Sequence, residues 1–382
     1  MERKQISLMR ATPPHLSALS EALQKTWAAF ADSDENLARQ FRQHRYNGNE
    51  EDRAAGVEWI GNRVRPVPAL DRMMVTNGTM NSILLLTSSL VGPGNVLLTE
   101  ELTFPQVYTL AKIASVEVQG VRIDQQGLVP EDFEQKCKQY APKAVYVNCT
   151  VHSPTAYVMP TERRRAIADI ARKYGVQIVE DEAQALYLDA LPDSFATIAP
   201  DITWYLMGLS KYLSLGIRLA FVVAPSERAL ANILERLRPI STWHPAPLMA
   251  SVITHWIRTG VAETLLQLAR IEVRKRQAIV SEVLSDIDGF QGSSGIHFWL
   301  PAPAGVDSEQ FSRAIGEAGI LVRPSKLYAG DREPRLQGIR PGVGDPVDLA
   351  ETRYAVEVIR GIYQQLRHQD EDSPQRIASK IV

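Results

Sequence analysis

Between Met73 and Val223, short apolar and β-branched runs alternate with stretches whose apolar residues recur every three to four positions. MMVT (73–76) precedes NSILLLTSSL, which GPG ends. NVLLT (95–99) precedes a helical pattern that starts near Pro105, and VEVQGVRI (116–123) and KAVYVN (143–148) follow. A helix at 161–174 leads into VQIVED (176–181), and TWYLMG (203–208) and LAFVVA (219–224) close the series. Buried runs that alternate with helices predict an α/β fold whose mainly parallel sheet is covered on both faces. The helix at 161–174 carries its own punctuation: Thr161 suits its N-cap, Glu162 its first turn and Gly175 its end. Ala166, Ile167, Ile170, Ala171 and Tyr174 make its apolar stripe, which leaves Arg163, Arg164 and Arg165 largely on a solvated face with no need of partners. The next strand then delivers Glu180 and Asp181 at its carboxyl end, where open α/β sheets bind ligands.

Beyond about Ser226 the pattern changes to long helices (227–238 and 262–285), then IHFWL (296–300), a helix at 308–318, GILVRP (319–324) and a last helix near 347–366. This predicts a smaller α+β lobe. Residues 1–45 are expected to contribute to it, with a large domain at 46–268, the small C-terminal domain at 269–366 and a polar, frayed tail at 367–382.

With 382 residues, 45% of them apolar, the chain can bury a large core, and two lobes suit that length. Its 42 basic and 44 acidic side chains leave a net charge of −2 with both signs mixed, so nothing favours nucleic acid or an anionic membrane as a partner. Two cysteines, Cys137 and Cys149, make neither a disulfide framework nor a metal cluster, which suits a reducing cytosol. The opening MERKQISLMRATPP lacks the apolar core of a signal peptide, and no run approaches the length of a membrane span. A cytoplasmic protein without bound metal is expected.

Three features fall at strand ends. NGTM (77–80) lies between a strand and a helix, so its amides and the Thr79 hydroxyl suit a phosphate, although Asn-Gly is also an ordinary turn. Asp181 suits a cap, a structural ion pair or a catalytic carboxylate. Lys211 and Arg218 lie seven residues apart within GLSKYLSLGIRLAFVVAP, where the lysine is either solvated surface or, with a depressed pKa, a Schiff-base former.

The order of these pieces, with VTNGT, ELTFP, HSPTAYVMPTERRRAIADIARKYGVQIVEDE, STWHPAPLMA and GIRPGVGDP, resembles the fold-type-I pyridoxal-phosphate enzymes of the aspartate aminotransferase superfamily. The likeness covers roughly residues 40 to 366 and is strongest to the aminotransferase-like half of MocR-type regulators and their stand-alone relatives. It implies a mainly parallel seven-stranded sheet sandwiched by helices, and a homodimer whose sites form at the interface. It further implies that Lys211 carries the cofactor as an internal aldimine and that Arg218 grips its phosphate, helped by Asn77, Gly78 and Thr79. Asp181 would pair with the pyridine nitrogen, Phe104 would stack on the ring, and Tyr46 would reach the phosphate in the partner subunit. Arg340 matches the arginine that holds the substrate α-carboxylate.

Three positions depart from the family pattern. Ser153 stands where the family has Asn, Gln184 where it has Tyr, and Gly208 where a hydroxyl usually helps hold the phosphate, a role Ser210 would inherit. The expected activity is transamination between an amino acid and a 2-oxo acid, with Lys211 as general base. The altered Ser153 and Gln184 positions keep open a lyase, decarboxylase, cyclase or oxidative deaminase on the same cofactor. A third reading is an effector-sensing module or pseudoenzyme, although about forty residues before the first site segment are too few for a winged-helix domain and its linker. His152 is expected to be structural, and Trp243 and His244 fall in a segment resembling a substrate-side loop.

Overall fold

The alternating runs become one seven-stranded sheet in a computed structural model that describes residues 5–31, 42, 44–238 and 244–371. Its strands are β1 (Met73–Thr76), β2 (Val96–Glu100), β3 (Glu117–Val121), β4 (Ala144–Val147), β5 (Gln177–Asp181), β6 (Thr203–Gly208) and β7 (Ala220–Val223), in spatial order β1-β7-β6-β5-β4-β2-β3. β3, β2, β4, β5 and β6 pair in parallel, and β7 runs antiparallel between β6 and β1. Helices at Thr79–Leu86, Gln106–Ile113 and Glu227–Leu237 press Ile83, Leu86, Leu110, Leu230 and Ile233 onto Met74, Leu97, Tyr146, Val179 and Val222 of the sheet. A fully buried aliphatic side chain stabilises by about 1.5–3 kcal/mol, more than an exposed ion pair, so these contacts set the strand registers. The α/β class and the mainly parallel sheet are as the sequence predicts.

Contacts between Cα positions divide the chain into two units: residues 16–150 with 157–270, and residues 1–15, 151–156 and 271–382. The larger unit holds the sheet. In the smaller one, Leu300–Pro301 and Arg323–Pro324 flank Gly338–Arg340 in an antiparallel sheet, and Ile6–Ser7 pairs in parallel with Ile320–Leu321. Helices Ser308–Glu317 and Leu349–Glu371 supply Phe311, Ile315 and Ile359 to a separate core with Phe298, Leu300 and Ile339.

Several local expectations change. The helix Thr161–Tyr174 ends on Gly175 at φ 66°, as its sequence requires, but Pro160 is the N-cap and no side chain caps it. Thr161 is already helical, and its hydroxyl accepts a hydrogen bond from Asp193 N at 3.2 Å. The run 116–123 breaks after Val121 because Ile123–Asp124 turns back on Gly127–Leu128. Of IHFWL, only Leu300 enters a strand, with His297 and Trp299 in isolated bridges. Helices at Glu50–Gly61, closed by a reciprocal Asn49–Asp52 capping box, and at Pro247–Arg258 escaped the periodicity reading. The last helix runs on to Glu371, while the tail from residue 372 and Trp243 lie outside the described residues. Both cysteines are buried and free. Among the described residues no helix is long and apolar enough to cross a membrane.

Candidate active site

The sheet register brings the sequence-predicted chemistry to one edge. β1 ends at Thr76 and β6 at Gly208, and both pair with Ala220, the first residue of the antiparallel β7. The residue two before that start, Arg218, therefore sits beside the loops that leave β1 and β6. Gly78 holds φ +91°, a conformation that other residues rarely adopt, and its Cβ position lies 3.9 Å from Arg218 Nε. A Cβ on Gly208 would stand 2.0 Å from Thr79 Oγ1. The missing side chain at Gly208 is thus filled by a hydroxyl from the neighbouring loop. Ser210, the expected substitute, instead donates its hydroxyl to the Ile217 carbonyl, closing the turn. Arg218 is exposed and, among the described residues, has no acidic partner. Gly78 begins the helix Thr79–Leu86, so this cradle combines free amides, a hydroxyl and a guanidinium.

Asn77 fixes the loop from outside: its Oδ1 accepts from Ala246 N at 2.8 Å, and its Nδ2 lies 3.5 Å from His244 Nδ1. His244 is buried, which holds its imidazole below the usual histidine range. Phe104 is half-buried and packs against the sheet core. The Tyr46 hydroxyl donates to the Leu234 carbonyl of its own chain.

Asp181 ends β5 with 3% of its surface exposed. The Tyr146 hydroxyl donates to its Oδ2 at 2.7 Å, and Oδ1 is buried with no hydrogen-bond partner. Burial raises its pKa to about 6, against the Tyr146 hydrogen bond and the positive charge of Lys211, which lower it. Lys211 closes the 3-10 turn Leu209–Lys211, and the Tyr187 hydroxyl donates to its carbonyl at 2.8 Å. Gln184 is buried next to that tyrosine's turn. Tyr146 and Tyr187 were missed in the sequence. The available signal was a tyrosine in a buried run, whose hydroxyl must find a partner.

The opposite face of β5 corrects the reading of the arginine triplet. Arg164 is fully buried, not solvated, and donates to Glu180 Oε1 at 3.0 Å, with Glu182 Oε1 3.6 Å away. Arg63 forks onto Glu182 with two bonds of 2.6 Å, and Thr150 and Tyr205 also donate to that carboxylate. Glu180 takes the amides of Phe195 and Ala196, both at 3.0 Å. Burial and the charge of Glu182 push Glu180 up to about 7, while Arg63 holds Glu182 below the usual range.

Ser153 and Arg340 belong to the smaller unit. His152 is buried there, 2.7 Å from Thr155 Oγ1, and its carbonyl lies 3.0 Å from His297 Nε2. Ser153 is 9% exposed beside it. Arg340 is 4% exposed; its Nε donates to Tyr328 Oη at 2.7 Å and its Nη2 to the Met9 carbonyl at 3.1 Å, while Nη1 is buried without a partner.

The family model described as aminotransferase class I and II matches residues 4–337. The chain belongs to that family. Among curated proteins, it is 25% identical over 304 residues to the uncharacterized HTH-type transcriptional regulator YdeF of Bacillus subtilis, covering 78% of this chain and 64% of that protein. The chain thus spans less than two thirds of that regulator's length. It is 25% identical over 312 residues to the 2-aminoadipate transaminase of Thermus thermophilus, covering 76% of this chain and 77% of that one. The crystal structure of an archaeal alanine:glyoxylate aminotransferase superposes with a TM-score of 0.82 at 22% identity, covering 95% and 92% of the two chains, and shows the same fold. Membership of this aminotransferase family implies pyridoxal phosphate, and this chain's residues fit it. The orphaned Asp181 Oδ1 suits a protonated ring nitrogen, and the cradle at Gly78, Thr79, Gly208 and Arg218 suits a phosphate.

Proposed function

We propose that the protein is a pyridoxal-phosphate-dependent aminotransferase that transforms an α-amino acid with Lys211 as its catalytic amine. The observation that carries this reading is the buried, unpartnered Asp181 Oδ1 within the electrostatic reach of Lys211. When bound, the cofactor supplies an aldehyde for the substrate amine and a ring that accepts electrons from the substrate carbanion. Every other task falls to the chain. Arg218, the amides at Gly78 and Thr79, and the Thr79 hydroxyl hold the phosphate, with Thr79 rather than Ser210 supplying the hydroxyl next to Gly208; the Asn77 amide instead donates to Asn81 Oδ1 at 3.2 Å and shapes the loop. Asp181, oriented by Tyr146, keeps a proton on the ring nitrogen.

Lys211 is first the covalent attachment point and then moves a proton at the substrate Cα. Phe104 covers the ring, and Ser153 and Gln184 replace the family's usual donors to the cofactor's 3′-oxygen. Arg340 takes the substrate carboxylate with the N–H that its own unit leaves unmatched. The protein acts as a homodimer, Tyr46 serving the partner's phosphate, in the cytoplasm and without a nucleic-acid or membrane partner.

Absorbance of the purified protein tests this directly. The visible band of a lysine-bound cofactor should become permanent on borohydride treatment and map to Lys211. Lys211→Ala should lose both the attachment and turnover at unchanged melting temperature. An identical trapped band or residual turnover in that variant would sink the assignment. Amino-acid consumption that does not depend on a 2-oxo acid would replace transamination with a lyase, decarboxylase, cyclase or oxidative reading.

A second reading, an effector-sensing module, is favoured by the names of YdeF and TauR, both HTH-type transcriptional regulators. It requires an amino acid that attaches to the cofactor and is released unchanged.

A further inference from the structure

Two of the non-glycine residues held at positive φ bracket a single excursion of the chain. The larger unit breaks off after Thr150 and resumes at Tyr157. The residues that turn the chain out and back, Val151 and Ala156, sit at φ 58° and 59°. For a β-branched valine that conformation is an outlier, and it persists only where the surroundings over-determine the backbone. Next to the turns, Thr150 and Val158 form an antiparallel bridge, and Met159 N donates to the Cys149 carbonyl at 2.9 Å. Residues 148–150 and 157–159 thus make a short stem for the segment that carries Ser153.

Glu100, fully buried at the end of β2, meets both legs of that stem. Its Oε1 accepts from Asn148 N at 3.1 Å on one leg and from the Tyr157 hydroxyl at 2.9 Å on the other. Asn148 continues the line, its Nδ2 donating to the Asp181 carbonyl at 2.6 Å. Asn148 and Tyr157 are both buried, where a donor left without an acceptor is costly, so an acceptor at position 100 answers a local demand. Burial pushes the Glu100 carboxyl up to about 8, against the hydrogen bonds from Tyr157 and Asn148. Near neutral pH the acid therefore keeps its proton and still offers one carbonyl oxygen to both donors.

We propose that Glu100 is a positioning residue: one buried carboxyl that fixes the stem of the Ser153 segment and, through Asn148, the backbone of Asp181. That Ser153 and Asp181 serve a cofactor rests on the function proposed above, whereas the clamp itself does not.

Hydrogen exchange of the full, cofactor-free chain tests the clamp. Glu100→Leu keeps the bulk but not the acceptor, and should quicken exchange at the Asn148 and Met159 amides ~10-fold or more, the factor for losing one buried hydrogen bond. Glu100→Gln retains a carbonyl oxygen, as the protonated acid does, and should stay within ~3-fold of the wild type. Tyr157→Phe releases one leg only. It should quicken Met159 and spare Asn148, and it keeps the test decisive where Glu100→Leu does not fold.

Titration with pyridoxal phosphate then reads the line to Asp181. Glu100→Leu should weaken binding ~10-fold or more in the wild type but under ~3-fold in an Asp181→Asn background, because the carboxylate it steadies is gone. An acid that only supported the fold would cost the same factor in both, so equal losses overturn the proposal. So does Asn148 exchange that Glu100→Leu leaves unchanged, Met159 exchange that Tyr157→Phe leaves unchanged, or a Glu100→Gln variant that exchanges as fast as Glu100→Leu. A wild type that binds no pyridoxal phosphate while the exchange contrast holds would instead defeat the cofactor reading and leave the clamp standing.

Discussion

Glu180, Asp181 and Glu182 are consecutive and all buried, yet the two faces of their strand treat them in opposite ways. On one face Glu180 and Glu182 meet Arg63 and Arg164, so two negative charges are matched by two positive ones. Backbone amides, Thr150 and Tyr205 take the remaining lone pairs. On the other face Asp181 has Tyr146 on one oxygen and nothing on the other. Burial penalises all three carboxylates alike, and what differs is whether the chain itself completes the compensation. A closed cluster of this kind is structural. An open one, at the carboxyl edge of a parallel sheet, leaves an oxygen that the chain itself does not match.

The largest expected effect breaks the closed face. Arg164→Ala leaves two buried carboxylates sharing one arginine and should destabilise the protein by about 3–5 kcal/mol, while the neighbouring, exposed Arg165→Ala should cost under about 0.5 kcal/mol. Denaturant unfolding of the two variants decides it. A similar small loss in both would mean that the cluster does not hold this face together.

The open face makes a prediction in pH. The Asp181 carboxyl has a folded pKa of about 6, above the ordinary 3.8 of an aspartate in water, so folding of the cofactor-free chain favours its protonated form. Its cost is absent below the unfolded pKa, grows as pH rises between the two values, and reaches about 3 kcal/mol above the folded one. Asp181→Asn removes that titration. The stability of the variant relative to the wild type should therefore climb by about that amount between pH 4 and pH 7 in cofactor-free protein. A pH-independent difference would show that Asp181 is not held in the environment described. Bound cofactor should shrink the slope, because a ring N–H opposite Oδ1 favours the ionised carboxylate.

The smallest effect sharpens the phosphate end of the same edge. Gly208→Ala drives a methyl into the Thr79 hydroxyl and should cost about 1–3 kcal/mol. In a Thr79→Ala background that clash disappears, so the double variant should be less destabilised than the sum of the singles by about 0.5 kcal/mol or more. Additivity would place Thr79 somewhere other than in the Gly208 space.

Much of this architecture was legible because its signals are local. Seven apolar runs, the helical stripe at 161–174 and the αL glycine at 175 each depend on a few neighbouring residues, and the strands formed where their alternation placed them. The candidate site residues Gly78, Thr79, Asp181, Lys211 and Arg218 were legible as loop chemistry between such runs, and the register of β7 explains why the loops after β1 and β6 meet Arg218. Helices at Glu50–Gly61 and Pro247–Arg258 were not, since the first has little amphipathic contrast and the second begins inside STWHPAPLMA, which resembles a substrate-side loop.

The chain by itself determined which segments form strands and helices, and which residue types stand at the strand ends. Only tertiary structure decided that Arg164 is buried, that Thr79 fills the space beside Gly208, that Asp181 keeps one oxygen unmatched and that Arg323 faces Arg340. The physical reason is range. Periodicity is written within a turn or a pleat, whereas the partner of a buried charge can lie 119 residues away, as Arg63 lies from Glu182. Which charges the chain itself satisfies depends on those distant pairings.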